Sequence, residues 1–117
     1  MKASQLVGKH VQILVSDPWE FGTECGVGPF AAVVTSAEND ALLLSLEVPI
    51  DYHGARLKTV VATPRHAPGK VEPLLSKGSL ATNLAFLLTS PTAFADVTND
   101  AKAGMVAAIG NVDLTSG

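Results

Sequence analysis

The chain has few of the residues that would assign it to a specialised class of protein. Its one cysteine, Cys25, excludes an intramolecular disulfide and any zinc site built from several cysteines. No apolar run approaches the roughly 20 residues of a membrane-spanning helix. The N-terminus has no signal-peptide core before Lys9 and His10. These absences predict a cytoplasmic protein without a membrane segment.

Charge is scarce as well. Charged residues make up 16% of the chain and the formal net charge is −3, so the chain lacks the basic excess typical of nucleic-acid binding. Hydrophobic residues make up 47% of the 117 residues, which is enough for one packed core and too much for a disordered chain. We therefore expect a single domain over residues 1–117.

Short strands are predicted over most of the first 75 residues. In 8–16, Val11, Ile13 and Val15 alternate with other residues, as in a strand with one buried face. The β-branched and apolar stretches 29–36 and 41–48 flank a polar turn and predict a β-hairpin. After a turn at 49–54, residues 55–63 alternate again, and 70–75 is a short fifth strand.

Two helices are predicted after residue 76. Ser79 is a suitable N-cap for a helix over 80–89, in which Leu80, Leu84 and Leu88 recur at helical spacing. A second helix over 99–109 is predicted from a similar spacing and ends at Gly110. The expected architecture is mainly β: a five-stranded barrel over 8–75 and a helical C-terminal extension over 76–117.

Five short strands, a long loop after the first and a tight central hairpin resemble the SH3-like small barrels. The resemblance covers residues 8–75 and consists of strand order and loop length. The acidic and aromatic residues with which peptide-binding SH3 domains hold proline-rich ligands are not found at their spacings, apart from Trp19 and Tyr52. A shared fold of this kind does not transfer a function.

The first predicted helix is apolar on nearly every side, since Ala81, Ala85 and Phe86 fill the face that its leucines leave. Such a helix has to be buried on most of its surface. Either a second copy of the chain or the residues after Pro91 would cover it. The first alternative predicts a homodimer that makes contact from Leu80 to Leu88.

Reactive side chains give little support for an enzyme. Cys25 lies in a glycine-rich loop beside Glu24, whose negative charge opposes the thiolate that a nucleophile needs. The three histidines have no local metal-ligand spacing, and the fourth strand would separate His53 from His66 by nearly 30 Å. We predict no catalytic residue, metal or cofactor, although an enzyme using Cys25 or a histidine at this loop is the alternative.

Charges of opposite sign occupy different parts of the sequence. Residues 17–51 contain seven acidic residues and no lysine or arginine, whereas 52–77 contain five basic residues and one acidic residue. Cross-strand pairing of Glu47 with Arg56 or Lys58 is one interpretation. The other is a basic patch around Arg65, His66 and Lys70 that binds an acidic partner or phosphate.

Aromatic residues complete the predicted site. Trp19 and Tyr52 lie in two loops that can share one rim of the barrel, where aromatic side chains anchor ligands well. Phe21 and Phe30 are expected to fold inward. The sequence thus predicts a non-enzymatic binding or interaction module that uses Trp19, Tyr52, Arg65 and His66 to contact a protein, a peptide or a small ligand.

Overall fold

The structure, a computed structural model, describes residues 6–17, 26, 28–38, 41–65, 79–88 and 105–115. These residues form six antiparallel strands and contain no α-helix. In chain order the strands are β1 (His10–Asp17), β2 (Phe30–Glu38), β3 (Ala41–Tyr52), β4 (Ala55–Pro64), β5 (Ser79–Leu87) and β6 (Met105–Leu114).

Each strand pairs with the next one along the chain, and β6 pairs with β1 to close the barrel. At the closure Val11 is opposite Leu114 and Ile13 is opposite Val112. The mainly β prediction is confirmed, but the predicted count of five strands is corrected to six. The predicted strand over 70–75 lies outside the described residues.

The first four strands follow the sequence prediction closely. The β-hairpin predicted over 29–48 is formed by β2 and β3, with Glu38 opposite Ala41. The predicted turn at 49–54 is shorter than expected, because β3 continues to Tyr52 and only His53 and Gly54 form the turn. Pro49 is accommodated in β3 because it lies where β3 has no paired residue on β4.

The helix predicted from Leu80 to Leu88 is wrong, because this segment is the strand β5. Its interior face carries Thr82, Leu84 and Phe86, all buried, while Asn83 between them is exposed. The alternation is typical of a strand with one core-facing side. The predicted homodimer was based on that helix, which is absent from this segment, and it stays a prediction.

The second predicted helix, over 99–109, is also wrong in the part that the structure describes. Residues 105–109 belong to β6, in which Val106, Ala108 and Val112 are buried in the core. Residues 99–104 lie outside the described residues. The predicted helical extension therefore supplies two barrel strands, and β6 completes the closed barrel.

The barrel interior is a continuous hydrophobic core. Its largest fully buried side chains include Ile13, Leu44, Leu57 and Phe86. Leu6 precedes β1 and is fully buried in the same core; the turn that follows it is fixed by Lys9 N–H donating to the Leu6 carbonyl over 3.0 Å. The interior is thus filled by side chains, as expected for a barrel of only six strands.

The barrel closes tightly at Gly110, which is opposite Val15 on β1 and Thr82 on β5. A Cβ atom at Gly110 would lie 1.9 Å from the Leu14 carbonyl oxygen, so only glycine fits here without movement of the backbone. The buried Thr82 hydroxyl donates to the Gly110 carbonyl over 3.2 Å. The Ser16 hydroxyl donates to the Ile109 carbonyl over 3.2 Å.

No segment of the described chain forms a helix with the length and apolar character needed to cross a membrane.

Candidate functional site

The filled core leaves the two ends and the outer face of the barrel as places for a functional site. At one end β1 finishes, β2 begins, and β3 turns into β4 after Tyr52. We call this the Tyr52 end. At the other end β1 begins, β2 turns into β3, and β4 finishes before Arg65. We call this the Arg65 end.

The barrel separates two of the four predicted site residues. Tyr52 is paired with Ala55, the first residue of β4, whereas Arg65 follows Pro64, the last residue of β4. The strand has 10 residues, which at about 3.3 Å each span roughly 30 Å. Tyr52 and Arg65 therefore do not line one rim.

Tyr52 is half-buried and packs against the core, as does Phe30 at the start of β2. The inward packing expected for Phe30 is confirmed, and Tyr52 partly shares that role. Trp19 lies outside the described residues. The chain leaves β1 at Asp17 and enters β2 at Phe30, so the connection that contains Trp19 starts and finishes at the Tyr52 end.

Arg65 is exposed at the opposite end, where its backbone N–H donates to the Ala81 carbonyl over 3.0 Å. This bond continues the β4–β5 ladder by one residue beyond Pro64. His66 and Lys70, the other members of the predicted basic patch, lie outside the described residues.

The most distinctive feature of the Tyr52 end is the part of the β3–β4 hairpin that extends past its neighbouring strands. The pairing of β3 with β2 ends at Leu46, and the pairing of β4 with β5 begins at Thr59. Residues 47–58, which we call the hairpin arm, therefore have no strand partner outside the hairpin among the described residues.

The hairpin arm is anchored to the core. Ile50 is opposite Leu57, and both side chains are buried. The turn has positive φ at His53 (46°) and at Gly54 (84°), the combination typical of a tight two-residue hairpin whose twist matches that of its strands. The rings of Tyr52 and His53 meet edge to face with centroids 4.5 Å apart. The arm is thus held to the core by two buried side chains and ends in a tight turn of defined geometry.

Val48 gives the arm an exposed apolar side chain. It is 74% exposed, the most exposed large hydrophobic residue among the described residues. The registers leave residues 47–49 without a paired residue on either β2 or β4. The local pattern predicts Val48 at the end of an ordinary strand and gives no sign of its exposure; the adjacent Pro49 is the only signal of the irregularity.

The hairpin arm also carries exposed charged side chains. Asp51 Oδ1 lies 3.7 Å from Arg56 Nε across the hairpin. Glu47 Oε1 lies 3.3 Å from His10 Nδ1 on β1. The predicted pairing of Glu47 with Arg56 or Lys58 is not among the ion pairs of the described residues, and Asp51 contacts Arg56 instead. Both pairs are solvent-exposed, where such contacts contribute little to stability.

Within the described part of the chain, no three histidine, cysteine, aspartate or glutamate side chains come close enough to hold a metal ion. Cys25 lies outside that part. His53 and Arg65 are at opposite ends of β4, and His66 also lies outside that part.

Comparison of the chain with protein families, with curated proteins and with solved structures finds no match in any of the three.

Proposed function

We propose that this protein is a non-enzymatic binding module that contacts another protein through the hairpin arm at the Tyr52 end. The observation that carries the proposal is the 74% exposure of Val48 on an arm that extends past β2 and β5. Leaving a valine in water forgoes about 1.5 kcal/mol or more of burial free energy. A partner that covers Val48 would recover it.

The shape of the arm favours a protein partner over a small ligand. Small-molecule sites are concave, whereas Val48 is 74% exposed on a hairpin that extends past the paired parts of β2 and β5. The arm is held to the core by its buried residues Ile50 and Leu57, so little conformational entropy would be lost on binding. Tyr52, also on the arm, is half-exposed and adds an aromatic side chain of the kind enriched in interfaces.

Two of the predicted site residues lie on different surfaces of the described barrel. Tyr52 is at the Tyr52 end, and Arg65 is at the other end. We assign partner contact to the first surface, because it combines exposed apolar, aromatic and charged side chains. The alternative of an enzyme that uses Cys25 gains no support from the described residues.

A photo-crosslinking amino acid placed at position 48 tests this proposal in extract of the source cells. We expect a discrete crosslinked adduct from position 48 and none from position 7. Val7 is a matched control because it is also an exposed valine, at 49%, and precedes β1 at the Arg65 end. Excess unlabelled wild-type protein should suppress the adduct, and excess Val48→Asp protein should not. Equal adducts from both positions, or equal suppression by both competitors, would contradict the proposal.

A further inference from the structure

Among the described residues, the first four residues of β4 form an open strand edge. Residues 55–58 have β3 on one side. On the other side, the pairing of β4 with β5 starts only at Thr59, opposite Leu87, where β5 ends. No strand of the described chain therefore pairs with residues 55–58 on that side, and we call these four residues the β4 edge.

The hairpin register fixes which backbone groups point away from β3. The two-residue turn makes Tyr52 and Ala55 the hydrogen-bonded pair that closes the hairpin. Hydrogen-bonded and non-hydrogen-bonded pairs alternate along antiparallel strands, so the next pair, Asp51 and Arg56, is non-hydrogen-bonded. The N–H and C=O groups of Arg56 therefore point to the open side, where they can pair with another strand.

The side chains of the β4 edge are basic. Arg56 and Lys58 are both exposed, and Lys58 has no ion pair within the described part of the chain. Arg56 contacts Asp51 at 3.7 Å, but its side chain is 70% exposed and that of Asp51 is 84% exposed. A solvated pair of this kind is weak, so Arg56 can exchange it for an incoming carboxylate. The edge thus offers backbone hydrogen bonds together with positive charge.

We propose that the β4 edge binds an extended acidic segment of the partner protein, which adds to β4 as a further strand. The inference rests on the proposed function and specifies the chemistry of the partner. Main-chain hydrogen bonds supply affinity in such strand addition, and side chains at alternate positions supply specificity. Opposite charges on neighbouring strands attract each other, whereas a basic segment would place like charges opposite Arg56 and Lys58.

The test uses the full chain and a fluorescent ten-residue peptide in which glutamate alternates with valine. We expect saturable binding that is at least tenfold tighter than binding of the same peptide with lysine in place of glutamate. Arg56→Ala removes the charge and should weaken binding several-fold. Arg65→Ala removes the same charge at the other end of the barrel and should leave binding unchanged.

Arg56→Pro separates strand addition from simple charge attraction. It removes the outward N–H without removing a hydrogen bond to β3, and we expect binding at least tenfold weaker than in Arg56→Ala. Because the proline variant can fail to fold, amide exchange of the wild-type protein supplies an independent measurement. The Arg56 N–H should exchange at least tenfold more slowly when the acidic peptide is bound.

Binding with no slowing of Arg56 exchange would overturn strand addition, as would equal binding of the glutamate and lysine peptides. The absence of any peptide binding would overturn the inference as well. None of these outcomes decides the proposed function, which is judged separately by the crosslinks from positions 48 and 7.

Discussion

Replacing Gly110 with alanine is expected to destabilise the protein by about 3 kcal/mol or more. The new Cβ would lie 1.9 Å from the Leu14 carbonyl oxygen and 3.0 Å from Leu84 Cδ1. The nearest atom is backbone, so relief requires β1 and β6 to move apart where they close the barrel. Overpacking of a well-packed interior costs about 1–3 kcal/mol, and occasionally more. Urea denaturation followed by circular dichroism measures the loss.

Asn111→Ala is the matched control for Gly110→Ala. Asn111 is the next residue of β6, and its side chain is exposed. Its substitution should change the free energy of unfolding by about 0.5 kcal/mol at most. Equal effects of the two substitutions would show that β6 does not approach β1 closely at Gly110.

Phe86→Ala is expected to cost about 3–5 kcal/mol, the usual range when a buried aromatic side chain is removed from a core. Phe86 is fully buried in the interior cluster and lies on β5 opposite Val60 on β4 and Val106 on β6. Because small proteins are stable by only about 5–15 kcal/mol, the variant should unfold at much lower denaturant concentration, or fail to fold.

Ala85→Ser gives the contrast that identifies β5 as a strand. Ala85 is adjacent to Phe86 but points to the outer face, where it is half-buried. Its substitution should cost well under half as much as Phe86→Ala, and the conservative variant Phe86→Leu should lie between the two. A larger loss from Ala85→Ser than from Phe86→Ala would contradict the orientation of β5.

The first four strands could be predicted because several local signals agree there. Val11, Ile13 and Val15 alternate along β1, and Pro18 follows its last residue. The polar residues Asn39 and Asp40 separate β2 from β3 in the sequence, and Gly54 supplies the positive φ that the β3–β4 turn needs. Where alternation and turn residues agree, the local sequence is sufficient to indicate the strands.

The sequence of β5 predicts a helix because its apolar residues fit the helical period and the strand period at the same time. Leu80, Leu84 and Leu88 have helical spacing, whereas Leu84 and Phe86 also lie on the single face of a strand. Its interior Thr82 looks like a polar interruption, although its hydroxyl bonds the Gly110 carbonyl. Whether this segment forms a helix or a strand is decided by its pairing with β4 and β6, which lie outside the segment and are not visible in its local sequence.

The candidate site could be predicted only in part. The length of β4 predicts that residues before and after it lie far apart, and it places Tyr52 and Arg65 at the two ends of the strand. Val48 could not be predicted as exposed, since its exposure depends on where the pairing of β3 with β2 stops, at Leu46. Such a boundary depends on the relative lengths of neighbouring strands and not on the local pattern.

The fold is a closed barrel in which β5 and β6, the C-terminal strands, complete the sheet. Nuclear Overhauser effects on isotopically labelled full-length protein test this closure. The structure predicts cross-strand contacts between Ile13 and Val112 at the closure and between Leu84 and Ala108 on β5 and β6. Contacts between residues three apart throughout 80–88, with none between Ile13 and Val112, would instead show a helix and an open sheet and would rule out the closed barrel.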